Sequence, residues 1–276
     1  MMDKTSRHLT PPGGFTAGIE GPACDPEGFI YAVNYDRQGT IGQISPQGDA
    51  EVWVELPEGS IGSGIRCDAG GNLLVADYVR HQVLHIDRRT KEISVWAHEP
   101  SMNQPNDLAI MKNGALLASD PDWDHGTGNI WLIAPDRTVT LLDGECGTTN
   151  GIEISPDERI LYVNESLQRR IWAYDLTADG AIANKRLLIQ YDDHLLDGMR
   201  CDTEGNLYVT RYGKGTVAKL SPDGKELGEI MLKGKNVTNL TFGGPDGRTC
   251  YVTVADTGNI QCFEVDCPGR CRGMWC

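Results

Sequence analysis

The sequence has no apolar run approaching the roughly 18 residues of a membrane-spanning helix, and no stretch sustains a helical period. It also lacks the GxSxG elbow of serine hydrolases, the HExxH of zinc proteases and the Walker A phosphate loop. "GIGSGIRCD" is no elbow, because Ser63 stands directly between Gly62 and Gly64. Positive charge is scarce: 25 basic residues face 39 acidic ones, a formal net charge of -14. That balance disfavours nucleic acid or an anionic membrane as partner and suits a cation. The opening "MMDKTSRHLTPPGGF" has no apolar h-region, and the nine cysteines form neither CxxC pairs nor a dense disulfide framework. The expectation is a soluble, cytoplasmic protein.

What the sequence does have is a repeat. "CDPEGFIYAVN", "CDAGGNLLVAD", "AIMKNGALLASD", "SPDERILYVNES", "CDTEGNLYVTR" and "GPDGRTCYVTVAD" share one grammar, a polar turn followed by a short β-type run. Anchored on Gly28, Gly71, Gly114, Glu158, Gly205 and Gly247, the units are spaced by 43, 43, 44, 47 and 42 residues. Second runs such as "GNIWLIAP" and "RRIWAYD" follow, then in several units a third, as in "AEVWVEL". Four short strands in about 43 residues make one blade of a β-propeller. The fold class is therefore all-β, a six-bladed β-propeller forming a single domain over 1–276. The last unit is short of an outer strand, which residues 1–19 can supply; 267–276 is a cysteine-containing tail. Cys24, Cys67 and Cys201 fall at one inner-strand position and read as packing residues. Trp53, Trp96, Trp131 and Trp172 read as packing between blades.

Equivalent positions of a propeller lie around one axis. Counting back eight residues from each anchor gives Glu20, Ser63, Asn106, Asn150, Asp197 and Asn239. All carry side-chain oxygen, although the residues after them enter apolar strands. Such oxygens, converging where the inner strands enter a central channel, make a hard site of the kind Ca²⁺ takes, with Mg²⁺ or Mn²⁺ as alternatives. An unliganded polar channel is the competing reading, and Asn or Asp before Gly is also ordinary turn chemistry.

"IEGPACDPEG", "QPNDLAIMKNGALLASDP", "TTNGIEISPDERILYV", "LLDGMRCDTEGNLYVT" and "NLTFGGPDGRTCYVT", in this order, resemble successive blades of the SMP-30/gluconolactonase/LRE-like family. The resemblance implies a six-bladed propeller with a divalent cation in its central channel and, in characterised members, lactonase and some organophosphate-hydrolase activity. It implies Glu20, Asn150 and Asp197 as metal ligands, Asn106 at the metal or the substrate, and Asp197 as the group that activates water or transfers a proton. Asp107 follows Asn106 as in the family motif and is expected with it at the substrate. Gln104 stands where the animal sugar lactonases have a substrate-holding arginine, so the bacterial branch is the closer analogy. Zn²⁺ is a further candidate metal.

The rim segments "DWDHGTG" and "YDDHLLDG" place Trp123, His125 and His194 as candidate substrate contacts. The reading is a metal-dependent lactonase acting on a small, sugar-derived lactone. Two rivals stay open: an esterase or phosphotriesterase in the same site, and a non-catalytic ligand-binding propeller whose ion is structural.

Overall fold

In a computed structural model, described here for residues 5–274, the chain is almost entirely β-strand. Six four-stranded antiparallel sheets form a ring, a six-bladed β-propeller. The first five sheets are meanders running from the axis outward in chain order. Their innermost strands are Phe15–Cys24, Gly62–Cys67, Leu108–Ile110, Thr149–Ile154 and Leu195–Cys201. The sixth begins with Val237–Gly243 and takes its outermost strand from the other end of the sequence: Arg7–His8 pairs with Asn259–Glu264. Each inner strand packs on those of the adjacent blades, and the sixth packs on the first, so the ring is closed. Residues 1–4 of the expected closing segment, and 275–276 of the tail, lie outside the described residues.

The apolar core is not one mass. Six clusters of buried side chains lie between neighbouring blades, such as Tyr31, Val33, Ile65 and Val75 between the first and second. A blade buries both faces, so its strands read as unbroken apolar runs such as "ILYV" rather than as alternating ones. Trp53 and Trp131 are buried in these clusters, and Trp96 and Trp172 pack against them. Cys24, Cys67 and Cys201 are packed there too.

The turn that anchors each repeat needs a backbone with positive φ. Gly28, Gly71, Gly114, Gly205 and Gly247 have φ from 76° to 91°, and Glu158 adopts 58° in the same place. Glycine tolerates that conformation without a Cβ clash, which is why the period is written mostly in glycine.

The channel closes at one end. After the sixth blade the chain forms a short 3₁₀ turn, Arg270–Met274. Arg270 donates to the Ile110 carbonyl (3.0 Å) and to Glu158 (2.8 Å), with Glu153 at 3.5 Å. This leaves the opposite end as the mouth.

Candidate metal and substrate site

At the mouth the inner strands depart from regular pairing. In the fifth blade Leu196 pairs with Arg211 and Met199 with Val209, so the Asp197–Gly198 step carries one extra residue. The same irregularity lies at Asn150–Gly151, at Ser63–Gly64, at Thr238–Asn239 and just after Glu20. A β-bulge re-aims the side chain beside it, and five blades use one at the entrance to the channel. Neighbouring strands hold the freed backbone groups. Asn164 donates to the Asp197 carbonyl, Thr210 to that of Gly198 (2.9 Å), and Thr238 to that of Ile19 (2.9 Å) across the blade boundary.

The glycine after Asp197 is a matter of space. A Cβ on Gly198 would stand 2.1 Å from the Asn239 side chain, and one on Gly151 would stand 2.5 Å from the Asp197 carbonyl oxygen. The blades therefore meet here with nothing larger than hydrogen between them.

Four of the six repeat-equivalent residues, Glu20, Asn106, Asn150 and Asp197, line one cavity of about 280 Å³. Trp123, Leu195, Tyr212, Ser166, Ile19 and Thr238 complete most of its wall. The other two of the six are not on the wall. Asn239 is fully buried, its carbonyl oxygen accepting from Leu240 N–H (2.8 Å) and its amide facing both Glu20 and Asp107 (3.4 Å to the latter). Ser63 is buried at its bulge and is not part of the wall.

Two carboxylates share this confined space. Burial, then the negative charge of Asp107, pushes Glu20 up to about 8, against the opposing pull of the Gly21 N–H, Arg200 and Asn239. Burial and the Glu20 charge likewise push Asp197 well above the carboxylate range, despite hydrogen bonds from Asn150 and the Gly198 N–H. Like charges in a low-dielectric site cannot both ionise without a compensating cation. In the same place the side-chain carbonyl oxygens of Asn106 and Asn150 are buried without a hydrogen-bond partner. Two carboxylates and two orphaned amide oxygens, with no imidazole or thiol on the wall, are a donor set that fits a hard divalent cation.

Beneath this layer lies a second one that the count of eight did not reveal. Asp107 has no exposed surface, and its two oxygens each accept from an arginine, Arg66 and Arg200, at 2.9 Å. Burial alone would raise its carboxyl, but the two guanidinium groups outweigh that and hold it below its ordinary value. Asp107 was expected at the substrate; with both oxygens committed and the side chain sealed off, it is part of the floor under the site. Five residues before each anchor stand Ala23, Arg66, Ala109, Glu153, Arg200 and Phe242. Three charges within apolar inner strands, in "GIRC", "GIEI" and "GMRC", were the available signal for this layer.

The remaining expected residues are dispersed. Trp123 is on the cavity wall and 39% exposed. His125 is exposed on the rim, paired with Asp122 at 2.7 Å, and His194 is exposed beside Asp193 at 3.0 Å; neither lines the cavity. Gln104 is half-buried and does not line it either. Its backbone N–H and that of Asn103 bond to Asp120 (2.6 and 2.8 Å), a fully buried carboxylate that also accepts from Asn129 and Trp131. Asp120 therefore fixes the loop that carries Asn106, a role that "SDP" alone did not disclose.

A cluster of Asp202, Asp266 and Cys267 lies elsewhere, near the tail. Lys219 pairs with Asp266 and lies 3.8 Å from Asp202, so this group has its own internal cation. Among the described residues no helix is long and apolar enough to cross a membrane.

The profile of the SMP-30/Gluconolactonase/LRE-like region matches residues 19–256. Among curated proteins, a gluconolactonase of Zymomonas mobilis is 28% identical over 77% of this chain, the match spanning 66% of that enzyme. A pentonolactonase of Haloferax volcanii is 28% identical over 86% of this chain and 81% of its own. Among solved structures, a calcium-binding protein, regucalcin, from Agrobacterium tumefaciens superposes with a TM-score of 0.82 at 23% identity, covering 95% of this chain and 97% of that one.

Proposed function

This chain belongs to the SMP-30/gluconolactonase/LRE-like family, and from that premise we propose that it is a metal-dependent lactonase opening a small, sugar-derived lactone to its hydroxy acid. The observation that carries the reading is the pairing of Glu20 and Asp197 in one cavity at the channel mouth beside the unpartnered oxygens of Asn106 and Asn150. The relatives that are lactonases support the reaction type, and the calcium-binding neighbour supports a divalent cation, Ca²⁺ before Mg²⁺, Mn²⁺ or Zn²⁺. All eight described cysteines are free thiols, which supports a reducing, cytoplasmic setting.

Glu20, Asn106, Asn150 and Asp197 would hold the cation, which when bound supplies Lewis-acid polarisation of the ester carbonyl. Asp197 takes the proton from the attacking water, and Asn150, hydrogen-bonded to it, holds its carboxylate in place. Trp123 and Leu195 give the lactone ring an apolar surface and limit water to the reacting side. No lysine or arginine reaches the cavity wall, since Arg66 and Arg200 are spent on Asp107 below it. A neutral lactone suits that wall better than an anionic one.

The test is proton release from a panel of aldonolactones and simple γ- and δ-lactones, with protein stripped by chelator and resupplied with each cation. Hydrolysis is expected only with metal, and Asp197→Asn is expected to lower it by at least about 100-fold while the protein stays folded. Silence toward every lactone with turnover of an aryl phosphotriester would replace the reading with the esterase one. Metal binding without turnover of either class would leave a binding propeller.

A further inference from the structure

Tyr212 was not among the residues that the sequence singled out, yet it stands on the cavity wall. It ends the second strand of the fifth blade, Leu207–Tyr212, and pairs directly with Leu195 on the inner strand. Side chains on a strand alternate, and directly paired residues share a face. Leu195, Asp197 and Tyr212 are accordingly all half-buried toward the cavity, whereas Leu196 and Arg211 between them are buried on the other face. Leu195 precedes Asp197 on the mouth side, which sets the phenol diagonally outward from the carboxylate.

The phenolic hydroxyl makes no hydrogen bond among the described residues. Of the other hydroxyls on the wall, that of Thr238 is spent on the Ile19 carbonyl and Thr253, and that of Ser166 belongs to the fourth blade. Tyr212 is thus the wall hydroxyl carried by the strand that pairs with that of Asp197, opposite Leu195 two residues before it.

Resting on the lactonase reading, we propose that Tyr212 contacts the substrate and donates a hydrogen bond to the endocyclic oxygen of the lactone, stabilising the alkoxide that forms as the ring opens. The carbonyl carbon bonds to the water oxygen, and its bond to the ring oxygen then breaks, leaving the electron pair on that oxygen. The proton that ends there is the one Asp197 removed from water, so the hydroxy acid is complete and the enzyme restored. Tyr212 keeps its own proton throughout. The outward position fits this atom: the carbonyl faces the oxygen cluster below, and the ring oxygen lies on the side of the mouth.

Tyr212→Phe deletes the donor and keeps the ring. The assay compares parent and variant, each loaded with the cation that supports activity, on an aliphatic δ-lactone and on an aryl lactone such as dihydrocoumarin. An aryl oxide leaves without much help, an alkoxide does not. The variant is expected to lose about 10- to 100-fold in kcat on the aliphatic lactone, with KM changed by less than about threefold, and less than about fivefold on the aryl one. Equal losses on both substrates, a change confined to KM, or no change with an active parent would overturn the role of Tyr212 and leave the lactonase reading standing. A parent inactive on every lactone would remove the reading beneath it, and this proposal with it. An unchanged melting temperature separates these outcomes from misfolding.

Discussion

Glu20 gives the site a signature that can be read without any substrate. Its carboxyl is pushed up to about 8 by burial and then by Asp107, whereas in the unfolded chain it titrates in the ordinary carboxylate range. A group whose folded value is raised contributes stability that is fully present below the unfolded value and is lost as pH rises through the folded one. In metal-free protein, raising the pH from about 5 to about 7 lets the unfolded chain release this proton while the folded protein retains it. At about 1.4 kcal/mol per pH unit for one proton, that interval removes roughly 2 to 3 kcal/mol from Glu20 alone. For a chain of this size the loss corresponds to a fall of about 3 to 5 °C in Tm. Asp197, raised in the same direction, steepens the fall. The measurement is thermal unfolding of chelator-treated protein across that range, beside Glu20→Gln, which cannot titrate there and should flatten much of the slope. Added divalent cation should stabilise more at about pH 7 than at about pH 5, because binding must displace the protons. A metal-free Tm that is flat or rises over the interval, with Glu20→Gln superimposed on the parent, would refute the account of two carboxylates confined together.

Asp107→Ala leaves Arg66 and Arg200 buried without their counter-ion and is expected to cost about 3 to 5 kcal/mol in urea unfolding; a loss below about 1 kcal/mol would show that the charged layer does not hold the channel together. Gly198→Ala puts a methyl group 2.1 Å from the Asn239 side chain, so a destabilisation of about 1 to 3 kcal/mol is expected. Calorimetric titration should show weakened cation binding as well, and tight binding in a destabilised variant would separate blade packing from the geometry of the site.

The fold was legible because the same physical demand recurs once per blade. A turn with positive φ at Gly28, Gly71, Gly114, Gly205 and Gly247 selects glycine each time, and Glu158, also at positive φ (58°), shows that the geometry, not the residue type, is what repeats. Counting from that turn reached the mouth of the channel, since an inner strand has a fixed rise per residue. The count could not tell which oxygens enter the cavity. Asn239 and Asn150 occupy the same repeat position, yet Asn239 is sealed between Glu20 and Asp107 with its oxygen spent on the Leu240 N–H, while the oxygen of Asn150 is left unpartnered on the wall. That difference depends on what the opposite blades contribute, and a position-by-position reading does not see across the axis.

Asp107 shows the same limit more sharply. In four of the other five blades, glycine follows the site residue, at Gly21, Gly64, Gly151 and Gly198. In the third blade the chain places an aspartate there instead, and its side chain crosses the channel to meet arginines from the second and fifth blades. One departure from the repeat thereby ties three blades together and sets a negative charge under Glu20 and Asp197, which raises both. The two arginines hold Asp107 ionised and exceed its charge by one, which the buried Glu153 beside Arg66 offsets. The floor is thus nearly balanced, and the acidic groups without a basic partner are left in the layer above it, where Glu20 and Asp197 face the mouth. On the proposed reading, a cation entering from solvent would meet these two carboxyls, and displace their protons, before it came near the fixed arginines. That order follows from the placement of the arginines, which pair with Asp107 below the carboxyls and do not line the cavity beside them.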